Sequence, residues 1–253
     1  MLLKNIKRIY FLLPLLVFIS LLQILSNSGL VNSSLFPPPT KVFLSFTELL
    51  RSGEIILHIK SSIWRVLFGL LMGSVAGIII GLLTGRNNLY DKSFSPLLQI
   101  FRSFPAVAII PLVIAWFGIG EGAKLFSISF AVFFPVWINT HIGSSRIPVH
   151  YLQSSSLLTK SIITKWFRVI LPASLPFIVA GIRNGIAIAF IMVFVSELAG
   201  ASSGIGYLIS VSHLAYRIDK MIVGLILLGL LGALTDFIFI RMIRRTLPWI
   251  EKI

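Results

Sequence analysis

Residues 66–85, 103–120 and 125–145 form three apolar blocks that contain no Asp, Glu, Lys or Arg. A helix needs about 20 consecutive apolar residues to cross roughly 30 Å of hydrocarbon, and each block approaches or meets that length. Three more qualify with few interruptions: residues 10–25, residues 169–198 around Arg183, and residues 221–240 around Asp236. The whole chain agrees, since 57% of its 253 residues are hydrophobic and only 12% are charged, against about 25% charged in soluble domains. The expected fold class is therefore all-α, a polytopic membrane protein of one domain, residues 1–253. Six transmembrane helices are expected near residues 10–28, 62–85, 96–117, 123–143, 169–198 and 221–243.

The first block follows Lys4, Lys7 and Arg8, a pattern shared with secretory leaders. Ser26-Asn27-Ser28-Gly29 offers no A-x-A-like cleavage site, so an uncleaved anchor is expected. Lys and Arg gather in cytoplasmic loops. With a cytoplasmic N-terminus, the inner segments hold thirteen: Lys4, Lys7, Arg8, Arg86, Lys92, Arg146, Lys160, Lys165, Arg168, Arg241, Arg244, Arg245 and Lys252. The outer segments hold six: Lys41, Arg51, Lys60, Lys124, Arg217 and Lys220. Both termini are thus expected in the cytoplasm. The net charge of +14 has the same origin, together with attraction to anionic lipid headgroups. The basic residues are scattered among spans, so nucleic-acid binding is not expected.

With no cysteine in the sequence, disulfides and thiolate metal sites are excluded. His58, His141, His150 and His213 lack metal-ligand spacing, so no metal site is expected. No G-x-x-x-x-G-K-[ST] loop occurs either; ATP-driven work would require another chain to bind the nucleotide.

Gly69, Gly73, Gly77, Gly81 and Gly85 recur every four residues along one face of the second span. Such a face allows close backbone approach, which replaces the missing hydrophobic drive between helices in lipid. It is expected to pack against a neighbouring helix. Between the fourth and fifth spans, residues 146–168 carry Leu158, Ile162 and Trp166 at four-residue spacing, with Ser154, Ser155, Ser156, Lys160 and Lys165 polar. This predicts an amphipathic helix about four turns long, ending at Pro172. It suits either the membrane surface or a soluble partner.

The run Tyr151-Leu152-Gln153-Ser154-Ser155-Ser156-Leu157-Leu158-Thr159, followed by Phe167-Arg168-Val169-Ile170-Leu171-Pro172, resembles the cytoplasmic "EAA" signature of bacterial ABC importer permeases. Gln153 stands at the usual Glu, Ser154 and Ser155 at the two Ala, and Thr159 at the usual Gly. Three further segments resemble the nitrate, alkanesulfonate and taurine branch: Phe36-Pro37-Pro38-Pro39, Ile109-Ile110-Pro111-Leu112-Val113-Ile114-Ala115-Trp116-Phe117-Gly118-Ile119-Gly120, and Ser202-Ser203-Gly204-Ile205-Gly206-Tyr207.

The resemblance implies the type I ABC importer permease fold and a subunit forming the translocation pathway for a small anion. It also implies a second permease copy, two cytoplasmic ABC ATPase subunits holding ATP and Mg, and an extracytoplasmic substrate-binding protein. The chain itself would carry no cofactor and no catalysis, and would sit in the bacterial inner membrane. Gln153, Ser154, Ser155, Leu158, Thr159, Ile162, Trp166 and Pro172 would form the ATPase-coupling segment.

Ionisable groups inside spans are functional candidates by default, which selects Arg102, Arg183 with its neighbour Asn184, and Glu197 for the pathway. Asp236 is expected to form an interfacial salt bridge near Arg241. Arg102 is also placed to snorkel, and Glu197 to bond across the irregular segment that follows it. Arg183 is left between lining the pathway and pairing with an internal acid. An ion-coupled secondary transporter is the alternative, though no internal duplication is seen. A membrane-embedded enzyme would need clustered acids, His or Cys. The same permease fold could also carry bicarbonate, cyanate or an uncharged vitamin precursor.

Overall fold

The computed structural model describes residues 2–29 and 31–249, and every regular element among them is helical. Lys252, counted above on the inner side, lies outside the described residues. The helices are α1 (Leu2–Asn27), α2 (Pro39–Arg51), α3 (Glu54–Arg86), α4 (Asn88–Ser103), α5 (Ile110–Phe117), α6 (Glu121–Ser145), α7 (Val149–Leu158), α8 (Ile162–Lys165), α9 (Leu171–Leu198), α10 (Ile205–Leu214) and α11 (Ile218–Thr246). A 3-10 turn over Ala106–Ile109 precedes α5, and a π-helical stretch over Trp166–Ile170 joins α8 to α9.

Local chemistry sets the boundaries. Pro39 opens α2, a position where its missing N–H costs nothing. Gly53 turns the chain from α2 into α3 at φ +74, a conformation that glycine adopts without strain. The Asn87 side chain caps α4 by accepting from the Leu89 N–H, satisfying one of the free first-turn donors.

Among the described residues, four helices are long and apolar enough to cross a membrane: α3, α6, the continuous rod Ile162–Leu198, and α11. The span expected at residues 96–117 is a broken one, because α4 and the segment Ala106–Phe117 meet at 89°. Pro105 is the cause. A proline bars its predecessor from helical geometry, and Phe104 is accordingly extended at φ −71, ψ 132. Counting the bent pair as one crossing gives five. Residues 10–28 fall on α1, whose stretch Leu16–Asn27 is apolar.

The core is α3, α6 and α9. Gly69, Gly73, Gly77, Gly81 and Gly85 meet Ile128, Ser129, Phe133, Trp137 and Ser144 in ascending order, so α3 and α6 run parallel in close contact. A Cβ at Gly73 would stand 2.5 Å from the Ser129 carbonyl oxygen, and one at Gly77 2.9 Å from that of Phe133. In α9, Gly181 faces Pro135 and Gly185 faces Val132, so this helix runs antiparallel to α6. Val132, Val136, Trp137, Ile186, Ala189 and Val193 close the space between them and are fully buried.

These directions define two ends of the bundle. One gathers α2, α10, the starts of α3, α6 and α11, and the end of α9. There Ser45 Oγ donates to Asp219 at 2.5 Å, and Glu48 accepts from Lys220 at 2.9 Å and from Arg217 at 3.3 Å. The Ser26 hydroxyl donates to the Phe36 carbonyl at 2.7 Å, bringing the end of α1 to the same place. The opposite end holds α7, α8, the ends of α3, α6 and α11, and the start of α9.

Candidate functional site

Arg65 organises the α10 end. Its Nε and Nη2 donate to the two oxygens of Glu121 at 2.7 Å each, a bidentate geometry that only a guanidinium supplies. Its Nη1 donates to Glu197 Oε1 at 2.7 Å and to the Ser203 carbonyl at 2.6 Å. One side chain thereby ties α3 to the start of α6, the end of α9 and the loop before α10.

Glu197 is fully buried and also accepts from the Ser62 hydroxyl, whose one proton faces both carboxylate oxygens at 2.8 and 2.9 Å, and from the Gly206 N–H at 2.8 Å. Ser62 Oγ accepts from the Ile205 N–H at 2.8 Å, and His58 Nδ1 from the Gly204 N–H at 3.1 Å. The start of α10 is therefore saturated by side chains from α3 and α9, and the Glu197 carboxylate meets the positive end of the helix dipole. Gly204, at φ +118, has no room for a Cβ, which would collide with the Glu197 carboxyl group.

Lys124 donates to Glu121 at 2.9 Å, so two cations face two carboxylates and the cluster is electrically balanced. It clamps the segment between α9 and α10 to the core. It leaves no unpaired charge to hold an ion.

At the opposite end, the single helix expected over residues 153–167 is two pieces. α7 ends at Leu158, with Thr159 extended at φ −152, ψ 140. Ser161 then starts α8, its hydroxyl accepting from the Thr164 N–H at 3.3 Å. The break arises because Ser161 offers a cap that competes with continued helix, and the Lys165–Ser156 hydrogen bond at 3.1 Å closes the turn. Thr159 stands where the EAA pattern has Gly, and its extended backbone suits any residue.

Pro172 does not end the helix either. The Leu171 N–H reaches back to the Trp166 carbonyl, a π-type turn that absorbs the donor missing at Pro172. Ser155 is buried, whereas Gln153 and Ser154 are exposed, and Trp166 and Pro172 are half-buried. Leu158 and Ile162 remain 86% and 70% exposed, joined by Leu157, Ile163 and Phe167 in an apolar patch on either side of the break.

The remaining candidates separate. Arg183 Nε donates to Asp236 Oδ1 at 3.0 Å and Nη2 to Oδ2 at 3.3 Å, linking α9 to α11. The expectation that Asp236 pairs near Arg241 is thus corrected, because antiparallel packing brings Arg183 to it across the helices. Asn184 is exposed beside the pair. Arg102 is exposed and donates to Gln99 at 3.0 Å on its own helix. Sequence reasoning missed Arg65 and Ser62 as partners of Glu197, and Glu121 as the second carboxylate on Arg65; an arginine among apolar residues near the start of the second span was the available signal.

Residues 73–247 match the family described as binding-protein-dependent transport system inner membrane component. The chain is 36% identical to the putative aliphatic sulfonates transport permease protein SsuC of Bacillus subtilis (strain 168), over 92% of its own length and 84% of that protein. It is 34% identical to the protein of the same name in Escherichia coli (strain K12), over 85% of this chain and 81% of that one. The nitrate import permease protein NrtB of Synechocystis sp. is 29% identical over 71% of the chain and 66% of that protein. The fold matches a subunit of the inward-facing MetNI methionine ABC transporter at TM-score 0.60 and 21% identity, covering 76% of this chain and 96% of that one. It also matches an amino acid ABC transporter at TM-score 0.61 and 15% identity, covering 80% and 96%. The chain is a member of the family of binding-protein-dependent inner membrane components, the permease subunits of ABC importers.

Proposed function

We propose that this permease carries a small sulfonate or related anion into a bacterial cell, as one of two identical copies. The observation that carries this reading is the likeness, over 92% of the chain, to a permease named for aliphatic sulfonates. ATP and Mg are held by a separate pair of ATPase subunits, and an extracytoplasmic binding protein delivers the cargo. The exposed apolar patch spanning α7 and α8 is the ATPase contact, because buried apolar anchors dominate such interfaces.

Charge supports the orientation. Lys41, Arg51, Lys60, Lys124, Arg217 and Lys220 lie toward the α10 end, while Arg86, Lys92, Arg146, Lys160, Lys165, Arg168, Arg241, Arg244 and Arg245 lie toward the α7 end. The more basic end is the cytoplasmic one.

Two experiments test the reading. Cysteines placed at Ser52 and Tyr216 should react with an impermeant thiol reagent from outside, and those at Asn88 and Ser156 should not. Cells carrying the complete transporter should take up a radiolabelled alkanesulfonate, with competition by other alkanesulfonates. Competition by nitrate alone would assign the nitrate reading, and uptake of uncharged solutes only would overturn anion transport.

A further inference from the structure

Between α7 and the start of α9 lies a cleft enclosing about 1140 Å3 of space, its open mouth included. Arg146, at the end of α6, and Arg168, in the π-helical stretch, both line it. Each is exposed. Among the described residues neither makes a hydrogen bond or ion pair with another side chain, and residues 122–196 contain no Asp or Glu at all. Among the described residues, Asp91 at this end is engaged by the Ser95 hydroxyl at 2.6 Å and faces His141 at 3.9 Å. The rest of the wall is mixed: Tyr151, Ser154 and Leu158 come from α7, Leu158 being shared with the proposed ATPase contact, and Val169 and Phe177 from the other side.

Two guanidinium groups without a counter-charge, beside an apolar wall, call for an anion that carries an apolar body. Guanidinium matches phosphate oxygens in paired hydrogen bonds. The cleft also sits where the end of α6 and the start of α9 leave the bundle. Basic pockets between spans on the cytoplasmic side are the places where anionic headgroups bind.

We propose that this cleft is a site for the phosphate of an anionic phospholipid of the cytoplasmic leaflet, which props α7 against the bundle and so sets the angle of the ATPase contact. The positive-inside tendency accounts for basic residues at this end in general. It does not account for two of them facing one concavity beside an aromatic wall. The inference rests on the orientation proposed above.

The test uses the full-length permease in lipid nanodiscs with spin-labelled phosphatidylglycerol or spin-labelled phosphatidylcholine as probe. Wild type should hold phosphatidylglycerol in preference, and Arg146→Gln and Arg168→Gln should each reduce that preference by about fivefold, near the worth of one basic residue at an anionic surface. Both side chains are exposed, so folding should survive. Arg244→Gln, at the same end and outside the cleft, should leave the preference unchanged.

Equal binding of the two lipids by wild type, or an equal loss in Arg244→Gln, would overturn the site. Displacement of the label by inorganic phosphate would reassign the cleft to a free anion, and displacement by the purified ATPase would reassign it to that partner; either also overturns the lipid. The orientation is read separately. Labelling of Ser156→Cys from outside would sink the topology, whereas labelling from inside alone, with no lipid preference, would sink the lipid site only.

Discussion

Arg65 and Glu197 stand 132 residues apart in the chain and meet at 2.7 Å, with both side chains almost wholly removed from solvent. The pair fixes where the fifth span ends and where α10 begins, because the same carboxylate also caps α10.

Removing one member of a buried pair leaves an uncompensated charge, at a cost of about 3–5 kcal/mol. Arg65→Ala should therefore lower thermal stability in detergent by that order, exposing Glu197 and Glu121 together. Arg65→Lys should recover only part of the loss, since an ammonium cannot reproduce the bidentate contact with Glu121. A melting curve of Arg65→Ala equal to that of wild type would contradict the clamp.

The glycine seam makes a contrasting pair of predictions. At Gly73 the obstacle is the backbone oxygen of Ser129, which no rotamer change can move. Gly73→Ala should part α3 from α6 and destabilise by about 1–3 kcal/mol. Nothing lies within 4 Å of a Cβ at Gly229 in α11, so Gly229→Ala should be neutral or stabilising by up to about 1 kcal/mol. Thermal unfolding of the two variants side by side checks the difference.

The Arg183–Asp236 pair is predicted to be structural. Asp236→Asn leaves Arg183 unpaired within a span, a cost of up to about 3 kcal/mol, and should reduce the yield of folded permease. The exchanged pair Arg183→Asp with Asp236→Arg should restore both yield and uptake. Restored yield with uptake of the anion still lost would instead put Arg183 in the pathway.

Part of this architecture was legible in the sequence. Uncharged blocks long enough to span, and glycines every fourth residue, each act through a single physical requirement, so α3, α6, α9 and α11 and the packing face of α3 could be read directly. The bend at Pro105 was hidden because the block around it is apolar on both sides, and hydropathy does not register backbone geometry. The break at Thr159 was hidden by a four-residue spacing that persists across it from Leu158 to Ile162. Glu197 was a visible candidate, but its partners Arg65 and Ser62, and the Glu121 that shares Arg65 with it, lie on other helices, and only packing joins them.

Acid should loosen α2. Hydrogen bonding from Lys220 and the nearby charges of Lys220 and Arg217 hold the Glu48 carboxyl below its ordinary range. A carboxylate with a lowered pKa stabilises the fold above its unfolded value and loses that contribution as pH falls through the folded one. Leu49, on the buried face of α2, is 1% exposed, so a cysteine placed there reports the opening. Its labelling, taken relative to that of an exposed cysteine at Ser52 at the same pH to cancel the falling thiolate fraction, should rise modestly on acidification through the carboxylate range. In a Glu48→Gln background it should already be raised at neutral pH and change little with acid.

On the proposed function, this chain moves its cargo only when a separate ATPase grips the patch around Leu158. The initial rate of uptake into proteoliposomes holding the permease and its ATPase, with loaded binding protein outside, measures it. Leu158 is exposed in the isolated permease, so Leu158→Asp should leave the subunit folded while placing an unpaired charge in the contact, a penalty of several kcal/mol if buried there. Uptake should require both ATP and binding protein, and should fall at least about tenfold in Leu158→Asp as the ATPase ceases to co-purify. Uptake driven by an ion gradient without ATP, or an unchanged rate in Leu158→Asp with the ATPase retained, would overturn ATP-driven import through this contact.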